Sequence, residues 1–383
     1  MRVLLVLPLA LLLLTLMPQA PLAPGAAQAL DARGYLKQVQ AVGFSSRDEP
    51  IDLTALWTQR FEVEAFAGPF RLFWGQKTRL AHGDLLRAAP AYARALDATD
   101  DWVSWGFSAS DGPDHVLHTV PDRLYAEWTR GEWQAAVGRQ RIHWGRNLGW
   151  NPLDWFNAVN PLDFDDEERG GIDAALVQWY FSPTGALEAV VRPAEAADWV
   201  AAALLWRASV HAYDVQVQVG RLQDDSTALG AGWSGALGPA GFRGEYSLFF
   251  YGGDRRQHLF GVTVDYLFAS ELFVGGGFLY NSDGATEPAP APILPGTLSV
   301  RRLNPARFNL QGNARYPVSP LLNADLYVFA NPLDASAWLV PGLTCSLSQS
   351  VDVLLNAQVG VGGKGAQYRA AERVLNLRWK WNF

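Results

Sequence analysis

From Leu36 to Phe383 the chain repeats one pattern: apolar and polar residues alternate with a period of two. Tyr213, Val215, Val217 and Val219 share one face of such a segment, and Asp214, Gln216 and Gln218 the other. Val351, Val353, Leu355, Ala357 and Val359 alternate with Asp352, Asn356 and Gln358. The last segment sets Leu375, Leu377, Trp379, Trp381 and Phe383 against Asn376, Arg378 and Lys380. A soluble sandwich shows the same alternation, so length and connections must decide. Soluble strands run about 5–6 residues, whereas a tilted membrane-crossing strand needs about 9–11. The segments here match the second figure.

The reading places strands near 34–44, 53–67, 70–80, 122–130, 133–144, 173–182, 185–194, 199–209 and 212–222. It continues with 226–237, 241–251, 257–268, 271–281, 306–316, 321–330, 336–347, 351–361 and 372–383. Every second connection is tight, as at Gly68-Pro69, Gly131, Pro183-Thr184 and Pro239-Ala240, while the long excursions 81–121, 145–172 and 282–305 fall between them. Short turns on the periplasmic side and long loops outside are the signature of a transmembrane barrel. The expected fold is therefore all-β: an antiparallel up-and-down transmembrane β-barrel of about 18 strands, with 16 as the alternative. Aromatic residues near strand ends, such as Trp128, Trp133, Trp179, Phe181, Tyr266 and Phe268, read as interfacial girdles.

Composition narrows the field further. Of 383 residues 49 % are hydrophobic and 18 % charged. Yet past the N-terminus no run approaches the roughly 18 apolar residues of a membrane helix. A polytopic helical protein and a disordered chain are both excluded. The single cysteine, Cys345, excludes an intramolecular disulfide framework. A net charge of −7 argues against nucleic acid as a partner. Met1-Arg2, the apolar run Val3–Met17 and the small-residue end Ala27-Gln28-Ala29 read as a secretory signal peptide over 1–29, leaving 30–383 as the barrel. The expected location is the bacterial outer membrane, with its lipid as one partner. A second expected partner is the barrel-insertion machinery, which the aromatic terminal segment Trp379–Phe383 resembles a signal for; the sequence names no periplasmic partner.

If the apolar faces meet lipid, the others line a lumen rich in charge, including Arg60, Glu62, Arg71, Arg79, Arg123, Arg243, Glu245, Arg378 and Lys380. Such side chains either form Arg–Glu ladders, as Arg60/Glu62 or Arg243/Glu245 would, or set ion selectivity. Loop 81–121 carries a candidate helix over 83–96, and loop 282–305, with Pro288, Pro290, Pro292 and Pro295, reads as extended.

The densest stretch is Gly138-Arg139-Gln140-Arg141-Ile142-His143-Trp144-Gly145, followed by two N-P-L-D turns at Asn151–Asp154 and Asn160–Asp163. It closes with Phe164-Asp165-Asp166-Glu167-Glu168-Arg169-Gly170-Gly171. On one reading loop 145–172 folds inward as a constriction, its acids paired with Arg139, Arg141, Arg146 and Arg169. On the other, Asp163, Asp165, Asp166, Glu167 and Glu168 hold Ca²⁺, although their spacing departs from the EF-hand pattern. The candidate lumen and constriction set is Arg71, Arg79, Arg123, Arg139, Arg141, His143, Arg146, Asp154, Asp163, Asp165, Asp166, Glu167, Glu168 and Arg169. No cofactor is implied.

The 138–173 stretch resembles a porin-like group of outer-membrane barrels of the Bacteroidetes type, in which G-R-Q-R-[IV]-x-W-G precedes N-P-x-D and F-D-x-E-E-R-x-G. Gly34-Tyr35-Leu36-Lys37 resembles that group's first strand, and the run is more distantly similar to alginate-export-like barrels. The resemblance implies an envelope barrel with transport work and no named substrate. The expected function is thus a porin-like channel for a small or polymeric solute, anion-preferring, and not an enzyme. The alternatives are a plugged scaffold barrel and an outer-membrane hydrolase. For the latter, the Ser209/His211 spacing exists but falls at an expected periplasmic turn.

Overall fold

The structure, a computed structural model, describes residues 30–44, 52–88, 102–112, 114–158, 161, 170–193, 200–222, 226–287, 299–369 and 373–383. The expected signal peptide lies outside the described residues. The strands are β1 (Leu30–Phe44), β2 (Asp52–Ala67), β3 (Phe70–Gly83), β4 (Phe107–Gly112), β5 (His115–Arg130), β6 (Trp133–Gln140) and β7 (Ile172–Ser182). There follow β8 (Gly185–Arg192), β9 (Ala201–Val210), β10 (Tyr213–Arg221), β11 (Thr227–Leu237), β12 (Ala240–Phe250) and β13 (Arg256–Leu267). The last are β14 (Phe273–Asn281), β15 (Phe308–Ser319), β16 (Leu322–Asn331), β17 (Ser336–Ser346), β18 (Val351–Val361) and β19 (Arg373–Asn382). A short helix, α1 (Asp84–Ala88), follows β3.

Each ring strand pairs antiparallel with its neighbours, and β19 returns to β1 from Tyr35↔Asn382 to Phe44↔Arg373. Strand β4 bonds to β5 alone, so the wall is a closed barrel of 18 strands. Closure matters because lipid offers no partner to an unpaired backbone group. The expected segments map one to one onto the ring, with shifted ends. Strand β5 begins at His115 rather than near 122, and β3 runs on to Gly83. The long excursion between them is correspondingly shorter than 81–121. Of the helix expected over 83–96 the described part is α1, whose Leu86 packs on Ala81, Val116 and Leu56 of the inner face.

The outer face is apolar along its length: Leu72, Leu124, Val177, Leu204, Val217, Leu229, Leu310, Leu355 and Leu377 are all exposed. An aromatic girdle rings the short-turn end. There Trp133 stacks on Trp179 at 5.8 Å, Trp179 meets Phe181 edge-on, and Trp381 lies 5.1 Å from Phe383.

The inner face departs in one region from the expectation of a lumen rich in charge. Toward the loop end its positions turn apolar, with Ala228, Phe249, Leu259 and Leu279 fully buried. They contact Trp144, Trp150, Trp155 and Phe156 of the 141–171 connection, together with Val300, Leu303 and Tyr368 from two other connections. The barrel thus carries an internal hydrophobic core made where its own loops fold inward. Apolar residues occupy both faces there because both faces are covered, one by lipid and one by loop.

Candidate functional site

Residues 141–158, the described first part of the connection between β6 and β7, enter the lumen, and their own sequence shapes the entry. Strand β6 ends at Gln140 instead of continuing to 144, because Asp154 diverts the chain. One Asp154 oxygen accepts the backbone amides of Trp144 and Gly145, each at 2.7 Å, and the other meets His143 Nδ1 at 2.7 Å. The first N-P-L-D turn therefore closes on the end of the G-R-Q-R motif. In the same turn, the Asp154 amide donates to the Asn151 carbonyl at 3.2 Å.

The barrel wall then fixes the loop. Glu245 of β12, fully buried, accepts three backbone amides. They are Arg146 and, at 2.8 Å, Asn147 on one leg, and Leu153 at 2.9 Å on the other. Gln216 and Gln218 of β10 donate to the carbonyls of Trp144 (2.6 Å) and Leu153 (3.0 Å). Ser247 donates to the Pro152 carbonyl at 2.7 Å and accepts Trp155 Nε1 at 2.9 Å. Leu153 drops into a cleft left by Gly230 and Gly232, where a Cβ at either glycine would stand 2.6–2.7 Å from its methyl groups. Backbone groups of a loop held in a lumen must find partners, and here the wall supplies them.

A second set of charges lines β1, β2, β3 and β5 toward the short-turn end. Arg33 pairs with Glu62 (2.8 Å) and Glu64 (2.9 Å), Arg71 with Glu64 (2.9 Å) and Glu127 (3.6 Å), and Arg60 with Glu62 (2.8 Å) and Asp122. The Arg71 guanidinium also lies 5.6 Å from the Phe73 ring and 5.8 Å from Tyr125. Lys37 and Lys380 approach the face of Tyr35 at 5.7 and 4.5 Å. The Arg60/Glu62 ladder is present, while Arg243 pairs with Asp265, leaving Glu245 to the loop.

The structure thus sorts the expected site residues. Arg146, Asp154 and His143 gather at the inward loop, with Arg146 Nε donating to Gln216 at 2.7 Å. Arg71, Arg79 and Arg123 belong to the charged inner wall, where Arg79 faces His118 and Arg123 faces Gly75 across the β3–β5 ladder. Arg141 is exposed. Arg139 has its described partners outside the lumen. It shares the outer face of β6 with Val137 and holds Asp173 through two 3.0 Å bonds. Segment 102–105 covers this pair, Val103 donating to Asp173 at 3.0 Å and accepting from Arg139 at 2.7 Å. Asp163, Asp165, Asp166, Glu167, Glu168 and Arg169 lie outside the described residues. Pro288, Pro290, Pro292 and Pro295 do too, but the described end of that connection folds inward, with a 3-10 turn at Val300–Arg302. Ser209 donates to Asp214 at 2.5 Å beside the His211 turn.

The sequence reading missed Glu245, Gln216, Gln218 and Ser247 as loop anchors. The inner apolar patch left a trace, since Leu248-Phe249-Phe250, Leu259-Phe260 and Phe278-Leu279-Tyr280 are continuous apolar runs where alternation should hold.

A closed wall, an apolar outer face with an aromatic girdle and a lumen entered by its own loop define a transmembrane β-barrel of the bacterial outer-membrane kind. Its fold is similar to that of Pseudomonas aeruginosa OccK3 (OpdO), at 12 % identity and TM-score 0.53 over 92 % of this chain and 95 % of that one. Acinetobacter baumannii OccAB1 gives 8 % identity and TM-score 0.57 over 92 % and 96 %. OccAB3 of the same organism gives 10 % and 0.56 over 92 % and 99 %. No protein-family model and no curated protein matches the chain.

Proposed function

We propose that the protein is a porin-like channel carrying small polar solutes across the outer membrane, with a preference for anions. The observation that carries the reading is the loop 141–158 held inside an 18-strand barrel by Glu245. A barrel of this size leaves an aqueous lumen unless something fills it. Here the loop and its core occupy one side, against β7–β16. The opposite wall, from β19 through β5, carries Arg79, Arg123, Arg378 and Lys380 on its inner face beside the pairs of Arg33, Arg60 and Arg71 with Glu62, Glu64, Asp122 and Glu127, and basic lumen residues favour anions. The likeness in fold to the Occ barrels supports the same reading.

The finer parts of the proposal rest on sequence. The resemblance of 138–173 to Bacteroidetes-type porin-like barrels, and more distantly to alginate-export-like ones, supports transport. The surrounding lipid and, through Trp379–Phe383, the insertion machinery are its partners, and catalysis is no part of it. The carboxylates of the Ca²⁺ reading, Asp163, Asp165, Asp166, Glu167 and Glu168, lie outside the described residues.

Reconstitution in planar bilayers tests the channel. The expected result is stepwise current, with a reversal potential in a potassium chloride gradient shifted toward chloride. Absence of current at every salt concentration would favour the plugged scaffold instead. A shift toward potassium would remove the anion preference alone.

A further inference from the structure

On the lipid side of β5–β8 the outer wall carries a groove of about 380 Å³. The ladder fixes which side chains make its floor. Leu124 stands opposite Arg139, Val137 opposite Ala175, and Ala175 opposite Val191, all at outward positions. Val137 is 62 % exposed, and Leu124 and Val191 are exposed beside it. The small Ala175 between Val137 and Val191 leaves the hollow. Segment 102–105 makes the other side, with the exposed rings of Trp102 and Trp105. Strand β6 ends at Gln140 and β7 begins at Ile172, so the groove lies at the loop end of the wall, level with the outer leaflet. Tryptophan gathers at that boundary between hydrocarbon and water.

The lining selects by its chemistry. Its charged groups are Arg139 and Asp173, and they answer each other: Asp173 Oδ1 accepts Arg139 Nε and Oδ2 accepts a second guanidinium nitrogen, each at 3.0 Å. The Val103 amide and carbonyl bond to the same pair at 3.0 and 2.7 Å. The other lining residues are Trp, Val, Leu, Pro, Ala and Gly. A polar ligand would give up its water there without a partner in return, whereas an apolar one gains burial. Continuity says which apolar ligand. The floor belongs to the same outer face as Val177 and Leu204, which meets the bilayer, so a hydrocarbon chain slides in sideways without crossing water. Inside the groove it touches the wall on one side and segment 102–105 on the other, while lipid elsewhere around the barrel touches the wall alone. The added contacts favour the groove.

We propose that this groove holds one acyl chain of an outer-leaflet membrane lipid, clasped between Trp102 and Trp105 and the wall at Val137 and Ala175. The proposal rests on the outer-membrane placement and not on conduction, so it stands or falls apart from the channel. It adds to the general contact with surrounding lipid a single resident molecule at a defined place. The Arg139–Asp173 pair, by anchoring Val103, holds segment 102–105 over that chain.

The probe is a phosphatidylcholine with a photoreactive diazirine midway along one acyl chain, mixed into phosphatidylcholine vesicles containing the full chain. On illumination, adducts on residues 102–105 and 137–139 exceed those at Leu310 and Leu355, which are exposed elsewhere on the outer wall. After transfer to detergent, native mass spectrometry shows one phospholipid retained. Ala175→Phe fills the groove from an exposed position, and Trp102→Ala with Trp105→Ala removes its far side. Each cuts retention and groove adducts about tenfold. Heat-modifiable electrophoretic mobility checks that both variants fold. Adducts spread evenly around the barrel, or retention unchanged in Ala175→Phe, overturn the proposal. A detergent-stable pair of chains with 102–105 unlabelled also overturns it, assigning the groove to a second copy.

Discussion

The carboxylate of Glu245 and the backbone amide of Leu153, 92 residues apart in sequence, meet at 2.9 Å in the middle of the barrel. The other oxygen of the same carboxylate takes the amides of Arg146 and Asn147, so one wall residue holds both legs of the inward loop. Glu245→Gln replaces an acceptor by a donor facing amide hydrogens that already point at it. The variant should lose about 2–3 kcal/mol of stability. A lower temperature for the heat-modifiable mobility shift, and new protease cleavage within 145–158, would report it. An unchanged melting temperature with a protected loop would contradict the anchor role.

Leu153 and Gly230 make a second, separable prediction. Gly230→Ala places a methyl 2.6 Å from a Leu153 methyl carbon, against backbone that belongs to the sheet. Overpacking of this kind costs about 1–3 kcal/mol. Leu153→Ala alone empties a fully buried site, at about 2–5 kcal/mol. The double variant should cost less than the sum of the two, because the new methyl fills part of the space vacated. A thermal-stability cycle measures the coupling, and strict additivity would mean that the two do not touch.

Arg139 and Asp173 predict behaviour at the outer surface. Their side chains are 3 % and 11 % exposed, and the pair is roofed by Val103. Arg139→Ala leaves a buried carboxylate unpaired, at about 3–5 kcal/mol. Arg139→Leu with Asp173→Leu removes both charges and should recover most of that loss. Both variants also untether segment 102–105, read as faster cleavage there by added protease. A double variant as unstable as the single one would show that the pair contributes something besides mutual neutralisation.

Tyr368 predicts a pH dependence. Its hydroxyl accepts from Asn304 at 3.0 Å, and burial pushes its pKa up to about 12 from an ordinary value of 10. Below about pH 10 the phenol is protonated in folded and unfolded chain alike, and contributes no slope. Between about pH 10 and about pH 12 the unfolded chain releases the proton first, so stability falls as pH rises. The loss across that window is on the order of 2–3 kcal/mol, and Tyr368→Phe abolishes it. Comparing melting temperatures of the two proteins from pH 9 upward isolates the effect; parallel curves would refute it.

The wall was legible because alternation is a local property. Each strand's pleat sends successive side chains to opposite faces whatever the rest of the chain does. The ring strands, the tight turns at one end and the outward face of Leu375, Leu377, Trp379, Trp381 and Phe383 could therefore be read residue by residue. The motif 138–154 was legible as a strand end followed by a turn, since its Asn, Pro and Asp act on their immediate neighbours.

What only the tertiary structure decided is what fills the barrel. Glu245 looks in sequence like the partner of Arg243 two residues away, yet Arg243 turns to Asp265 and Glu245 to the loop. Arg139 sits inside a motif that suggested the lumen, but the parity of β6 sends it outward beside Val137. Period two says that two faces differ without saying which lies inside. At the loop end, where Phe249, Leu259 and Leu279 meet Trp144, Trp150 and Trp155, the faces do not differ at all. Closing the sheet brought those residues together across long stretches of chain, and contacts of that span leave no periodic mark in the sequence.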